Sequence, residues 1–213
     1  MVEHIFLCNN YVSYNKERMV AVMSKYLNET LEVIAKRYSC RDYKSEMPSD
    51  EMLEAIAEAA IQAPSAMNRQ PWRIIVVKNK ELMQELENEA LNQLKNMEDK
   101  SAYNRIMTRG GKLFYNAPCM IIIPVEQNKD NYPLIDCGIV CQNITIAASS
   151  LGLASVICGL TGVAFSDSVK AEKWAKRLGF PEGYMFGCSV LLGYANTSKD
   201  PHEPDKSKII VVD

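Results

Sequence analysis

Thirty consecutive uncharged positions separate Asp136 from Asp167. A stretch like this must be kept from water, and few structures can do that. It is long enough to cross a bilayer, and a span over Ile139–Gly162 is one reading. Gln142, Asn143, Ser149, Ser150 and Ser155 interrupt it, and Gly152, Gly159 and Gly162 punctuate it. Acidic residues stand at its ends where Lys or Arg anchors belong. The preferred reading is a buried helix over Pro133–Ser150, a glycine turn, and a buried strand over Ala154–Cys158. A helix with no charged side needs cover all round, and a central place in a dimer would provide it.

The rest of the chain alternates helix and strand signals. Asn28 caps a helix through about Arg37, with Leu31, Ile34 and Ala35 on one face. Pro48 and Ser49 start a second helix. Its Leu53, Ile56, Ala57, Ala60 and Ile61 follow the i, i+3, i+4, i+7, i+8 template, and it stops before Pro64. A strand over Trp72–Lys78 and a polar helix over Lys80–Lys100 follow. Further strands are read at Met120–Val125, Met185–Leu192 and Ile209–Val212, and a helix capped by Ser166 ends at Gly179. The order implies an α+β fold, three layers around one central sheet. Residues 1–27 read as an extension, with Met19 or Met23 as a possible truer start, and residues 28–213 as a single domain.

Composition removes several function classes. The balance of 24 Lys+Arg against 26 Asp+Glu leaves a net charge of −2, too little positive charge for a nucleic-acid partner. Seven cysteines at 8, 40, 119, 137, 141, 158 and 188 form no Cys-x-x-Cys pair. With only His4 and His202 beside them, no metal is expected. Reduced, buried thiols and the lack of a signal peptide imply a cytoplasmic protein without a membrane partner. No Gly-x-Gly-x-x-Gly, complete P-loop or Gly-x-Ser-x-Gly occurs, and two histidines offer little for a triad. Any difficult chemistry would fall to a bound cofactor.

Two segments stand out. Arg37-Tyr38-Ser39-Cys40-Arg41-Asp42-Tyr43 places two guanidinium groups and a hydroxyl within five residues, where a helix ends. Arginine forks match phosphate oxygens, although helix capping and a solvated loop explain the same residues. Ala63-Pro64-Ser65-Ala66-Met67-Asn68-Arg69-Gln70-Pro71-Trp72 fixes a loop between two prolines. An ordinary capped turn is the alternative there.

Together these segments resemble the FMN-dependent nitroreductase family. Arg37, Ser39, Arg41 and Tyr43 match its Arg-x-Ser-x-Arg/Lys-x-aromatic pattern. Pro64, Ser65, Asn68, Gln70, Pro71 and Trp72 match every position of Pro-Ser-x-x-Asn-x-Gln-Pro-Trp. Asn116-Ala117-Pro118, the Asp136–Leu153 helix and turn, Leu178–Gly183 and Leu192-Gly193-Tyr194 also fit. The likeness covers about residues 29–212, while the region from Leu82 to Lys112 matches no family motif.

The resemblance implies a homodimer with FMN at the subunit interface and an exchanged C-terminal strand. Arg37 and Ser39 would contact the FMN phosphate, with Tyr38 beside them. Lys206 and Lys208 would assist, with Lys208 keeping the charge of the family's usual arginine but losing its fork. Arg41 would stabilise charge at the ring's pyrimidine edge. Pro64, Ser65, Ala66 and Asn68 would reach the flavin of the other subunit. Cys158, Gly159 and Leu160 would lie along the ring, with a backbone N–H near N5 and Cys158 serving as packing only. NADH or NADPH would donate hydride, and quinones, nitroaromatics or similar acceptors would take electrons by a ping-pong route. No side chain would be catalytic in the covalent sense. A flavin-binding or flavin-consuming relative without external acceptors is the alternative.

Overall fold

A computed structural model describes residues 27–127 and 132–212. The expected extension over 1–27 lies outside them apart from Leu27. The chain divides into two compact units, one ending at Arg37 and one beginning at Tyr38. In the first, helix α1 spans Glu29–Lys36, and the Asn28 side chain accepts the Leu31 N–H at 3.0 Å. Glu29 and Glu32 stand at the positive end of the helix and Lys36 at its negative end. Lys36 also pairs with Glu32 one turn earlier.

In the second unit, helices α2 (Asp50–Ile61), α3 (Lys80–Asn96), α4 (Ser101–Met107), α5 (Tyr132–Ser150) and α6 (Ser168–Leu178) surround four strands. The strands are β1 (Ile75–Val77), β2 (Cys119–Glu126), β3 (Ala154–Ile157) and β4 (Tyr184–Gly193), in the spatial order β1-β2-β4-β3. They pair antiparallel, and the sheet's parallel component is the single bridge between Ser39 and Ser155. Side chains alternate across a strand, so central β2 feeds two cores. Met120 and Ile122 face the layer of α3, α4 and α6, together with Val156 and Leu191. Cys119, Ile121, Ile123 and Val125 face α2 and α5, together with Val190 and Leu192. Pro124 sits where the β2–β4 register shifts, a tolerated place for a residue that cannot donate to the ladder.

Several elements differ from their sequence reading. The polar helix expected to reach Lys100 stops at Asn96, Met97 turns extended, and α4 starts after Asp99 accepts the Ser101 N–H at 2.8 Å. Asp167, not Ser166, caps α6, accepting the N–H groups of Val169 and Lys170. The Ser166 hydroxyl is engaged with the Val163 carbonyl at 2.8 Å. The strand expected at Trp72–Lys78 is regular only over Ile75–Val77, with Trp72 making a separate bridge to Val125. The segment expected as a fifth strand, 209–212, pairs with none of the four strands, so it lacks the neighbouring ladder that a strand requires. Its residues Ile209, Ile210, Val211 and Val212 are 73–89% exposed.

Helix α5 is as apolar as expected, its first turn is largely exposed, and its remainder is mostly buried or half-buried. Asp136, Cys137, Val140, Cys141, Ile144 and Ala148 are buried, while Tyr132, Leu134 and Ile135 are exposed. Among the described residues no helix is long and apolar enough to cross a membrane, and no group of His, Cys, Asp or Glu is arranged to hold a metal ion.

Candidate functional site

The first segment is built against the ends of β3 and β4. The Cys40 N–H donates to the Ser155 carbonyl at 3.0 Å, and Ser39 bridges Ser155. The Tyr38 hydroxyl donates to the Thr197 carbonyl at 3.0 Å. Tyr43 is buried and its hydroxyl donates to the Cys40 carbonyl at 3.2 Å. Burial pushes its phenol far up, with Cys40, Cys158 and Tyr38 adding to the shift, so it stays neutral. Asp42 is held by the Asn196 side chain at 3.0 Å. Arg41 is left exposed, its guanidinium reaching only the Ser39 carbonyl at 3.5 Å among the described residues. Arg37 closes α1 through its own N–H to the Val33 carbonyl, and its Nε is buried without a hydrogen-bond partner.

The second segment is a strained loop. Met67, Asn68 and Gln70 all adopt left-handed backbone at φ of 54, 53 and 48°. Each such non-glycine residue costs about 1 kcal/mol or more. Local bonds hold the shape. Ser65 Oγ accepts the Gln70 N–H at 2.9 Å, and Asn68 Oδ1 accepts from the Gln70 amide at 3.0 Å. Asp136, buried in α5, accepts the Ala66 N–H at 3.3 Å. The loop holds Met67 out at 91% exposure.

The third region is the exit of β3. Cys158 is buried, and burial raises its thiol above the ordinary range. Gly159 is exposed, and a Cβ added there would meet nothing within 4 Å. Lys206 and Lys208 lie exposed in a short turn capped by Asp205, and carry no ion pair among the described residues. Two bonds from Ser207 hold the Asp205 carboxyl below its usual range.

One chain therefore brings Tyr38, Cys40 and Cys158 together around Tyr43 in one core layer, with Ser39 bridged to Ser155 in β3. The Pro64–Trp72 loop is rooted in the other layer, through Ala63 and Trp72. Among the described residues no hydrogen bond or ion pair links Pro64–Asn68 to Tyr38–Arg41, Cys158–Leu160 or Lys206–Lys208. Two open clefts of about 700 and 190 Å³ lie elsewhere, and none of these residues lines either. Sequence reading missed Asp136 as a support of the loop, and it missed Ser189 and Thr161, buried hydroxyls beside Cys158. A lone acid at the start of an apolar run was the signal available for the first. Single hydroxyls inside apolar segments gave none for the others.

A family model described as Nitroreductase matches residues 34–194. The chain belongs to the nitroreductase family. Among solved structures, it is similar to a nitroreductase with bound FMN from Desulfitobacterium hafniense DCB-2. The identity is 67%, covering 87% of this chain and 99% of that one, at a TM-score of 0.85. A second nitroreductase with bound FMN, from Bacteroides fragilis NCTC 9343, is 29% identical over 87% of this chain and all of that one, at a TM-score of 0.77. A protein of Archaeoglobus fulgidus, provisionally named NADH dehydrogenase/NAD(P)H nitroreductase, is 32% identical over 84% of this chain and 92% of its own length. Nitroreductase membership thus rests on most of the chain and on both segments that motivated it.

Proposed function

We propose that this chain is an FMN-dependent oxidoreductase. It takes hydride from NADH or NADPH and passes electrons to quinones, nitroaromatics or similar acceptors by a ping-pong route. It works as a homodimer with the flavin between the subunits, residues 28–213 forming the flavin-binding domain. The observation that carries the reading is the Pro64–Trp72 loop. Its strain is stored at a complete motif, and it is rooted on the opposite face of the sheet from Tyr38, Cys40 and Cys158. Strain of this kind persists where a function keeps it, and two copies unite what one chain separates.

The residues present fit FMN. The phosphate, carrying about −2 charge, is matched by Arg37, Ser39, Lys206 and Lys208, and the orphaned Nε of Arg37 is a donor awaiting an acceptor. Gly159 leaves open space for a ring. Tyr38, Pro64, Ser65, Ala66, Asn68, Cys158 and Leu160 complete the set. When bound, FMN supplies two-electron hydride chemistry that no side chain here can perform. Arg41, exposed in one chain, would supply positive charge beside the bound group, an effect worth about 3 kcal/mol once the site is closed to water. The Cys158 thiol is held protonated by burial, so it packs and does not attack. Water delivers protons, since no buried acid or histidine of the set is placed to do so.

Two exposed apolar features support the dimer, Leu134 and Ile135 in the first turn of α5 and the tail 209–212. The tail adds a strand to the partner's sheet, satisfying the ladder it lacks in one chain. The test is spectroscopic. Purified protein reconstituted with FMN will be yellow and will bleach with NADH or NADPH. Protein that cannot be loaded with FMN would refute the reading, and yellow protein that neither nicotinamide reduces would favour a flavin-binding role without turnover.

A further inference from the structure

The turn from β3 into Gly159–Phe165 is pinned by a buried polar network inside an otherwise apolar layer. Cys158 donates its N–H to the Ser189 carbonyl at 2.8 Å. The Ser189 hydroxyl donates to the Cys158 carbonyl at 2.9 Å. One residue of β4 therefore grips both sides of Cys158. Since the Ser189 proton is committed to that carbonyl, the Thr161 hydroxyl, 2.8 Å away, must be the donor to Ser189 Oγ. Ser189 and Thr161 are both wholly buried. Ser189 shares a strand face with Leu191, which lies opposite Val156 and belongs to the same apolar layer as Ala164 and Trp174. Packing does not require hydroxyls here, because a matched apolar pair would fill the same space without two groups to desolvate. What the hydroxyls add is orientation: the chain has one way to satisfy them, and it fixes the peptide between Cys158 and Gly159.

We infer that Ser189 and Thr161 are positioning residues that set the Cys158–Gly159–Leu160 backbone against the flavin and so govern the rate of hydride arrival. The inference rests on the flavin reading above, since that reading places this backbone along the ring. Neither residue touches the cofactor in this account. They act through Cys158, and their loss leaves the phosphate and Arg41 contacts in place. Geometry of this sort affects rate steeply, because a small misplacement of reacting partners is costly.

The test uses the full chain with Ser189→Ala, Thr161→Val, Thr161→Ser and the Ser189→Ala/Thr161→Val double variant. The first readout is amide hydrogen exchange in protein without FMN. Exchange across 158–161 should quicken about tenfold in the double variant, while β2 stays protected. The second is flavin bleaching in single turnover with saturating NADH and NADPH. Thr161→Val and the double variant should bleach about tenfold more slowly, with FMN affinity and nicotinamide KM within about twofold of wild type. Thr161→Ser should recover the wild-type rate. If Ser189→Ala alone unfolds, Thr161→Val still decides, because it keeps the Ser189 bonds to Cys158 and removes the Thr161 hydroxyl that orients them. Wild-type exchange and rates in the variants, or a Thr161→Ser that is as slow as Thr161→Val, would overturn the inference. Wild-type protein that takes up no FMN would instead refute the flavin reading, and the exchange measurement would still report whether the network pins the turn.

Discussion

Arg41 differs from its neighbours in what it lacks. Cys40 is tied to Ser155 in β3, Tyr43 to Leu191 in β4, and Tyr38 and Asp42 to Thr197 and Asn196 beyond β4, whereas among the described residues Arg41 holds one long bond to a carbonyl in its own segment. A charge left so free suits a group that arrives later. Arg41→Ala is therefore expected to slow NAD(P)H-driven flavin reduction by about a hundredfold while FMN affinity falls severalfold. Comparing the reduction rate with the FMN dissociation constant checks this, and equal losses would contradict the assigned role. The cysteines give a second residue-scale prediction. Burial pushes the Cys119 thiol up to about 12, and a hydrogen bond with Cys137 that favours the neutral thiol puts Cys141 at about 12. At pH 8 only about one molecule in ten thousand would carry either thiolate. Iodoacetamide should leave both unmodified in the folded protein, as peptide mass spectrometry will show, and label both after unfolding.

Among the elements, β2 has most to lose. Ile121, Ile122 and Ile123 have no exposed surface and face alternate cores. Ile122→Ala should cost about 2–5 kcal/mol, seen as a lower denaturant midpoint with an unchanged slope. The elements also show how much was readable beforehand. The apolar run of β2, the uncharged α5 and the proline-bracketed loop were legible because burial and fixed φ write themselves into residue type. The break between α3 and α4 was not, since Met97 and Glu98 have no feature forbidding helix, and Asp99 acts only once Ser101 turns toward it. The cap at Asp167 instead of Ser166 was a choice between two good caps, decided by the preceding turn's claim on Ser166. Of the candidate site, the arginines and the loop motif were visible. Asp136, Ser189 and Thr161 were not, because their roles depend on partners 70, 31 and 28 positions away.

At the scale of the whole molecule, one chain presents halves. The Pro64–Trp72 loop and the Tyr38–Tyr43 segment are rooted in different layers, α5 exposes Leu134 and Ile135 in its first turn, and the tail carries four exposed apolar residues at 209–212. A second copy would resolve all three, because a twofold interface would present each patch to its counterpart. Removing residues 209–213 should therefore lower FMN affinity by at least tenfold and shift the mass in light scattering from two chains toward one, although no proposed FMN contact is deleted. An unchanged mass and affinity would remove the strand-exchange account. The central claim, a reducible flavin held by this chain, is tested most directly by anaerobic titration of the reconstituted protein with NADH or NADPH. The account predicts one FMN per chain, bleached by one equivalent of nicotinamide and restored by a quinone or nitroaromatic acceptor. Protein that stays colourless after reconstitution, or bound flavin that neither nicotinamide bleaches, would contradict it.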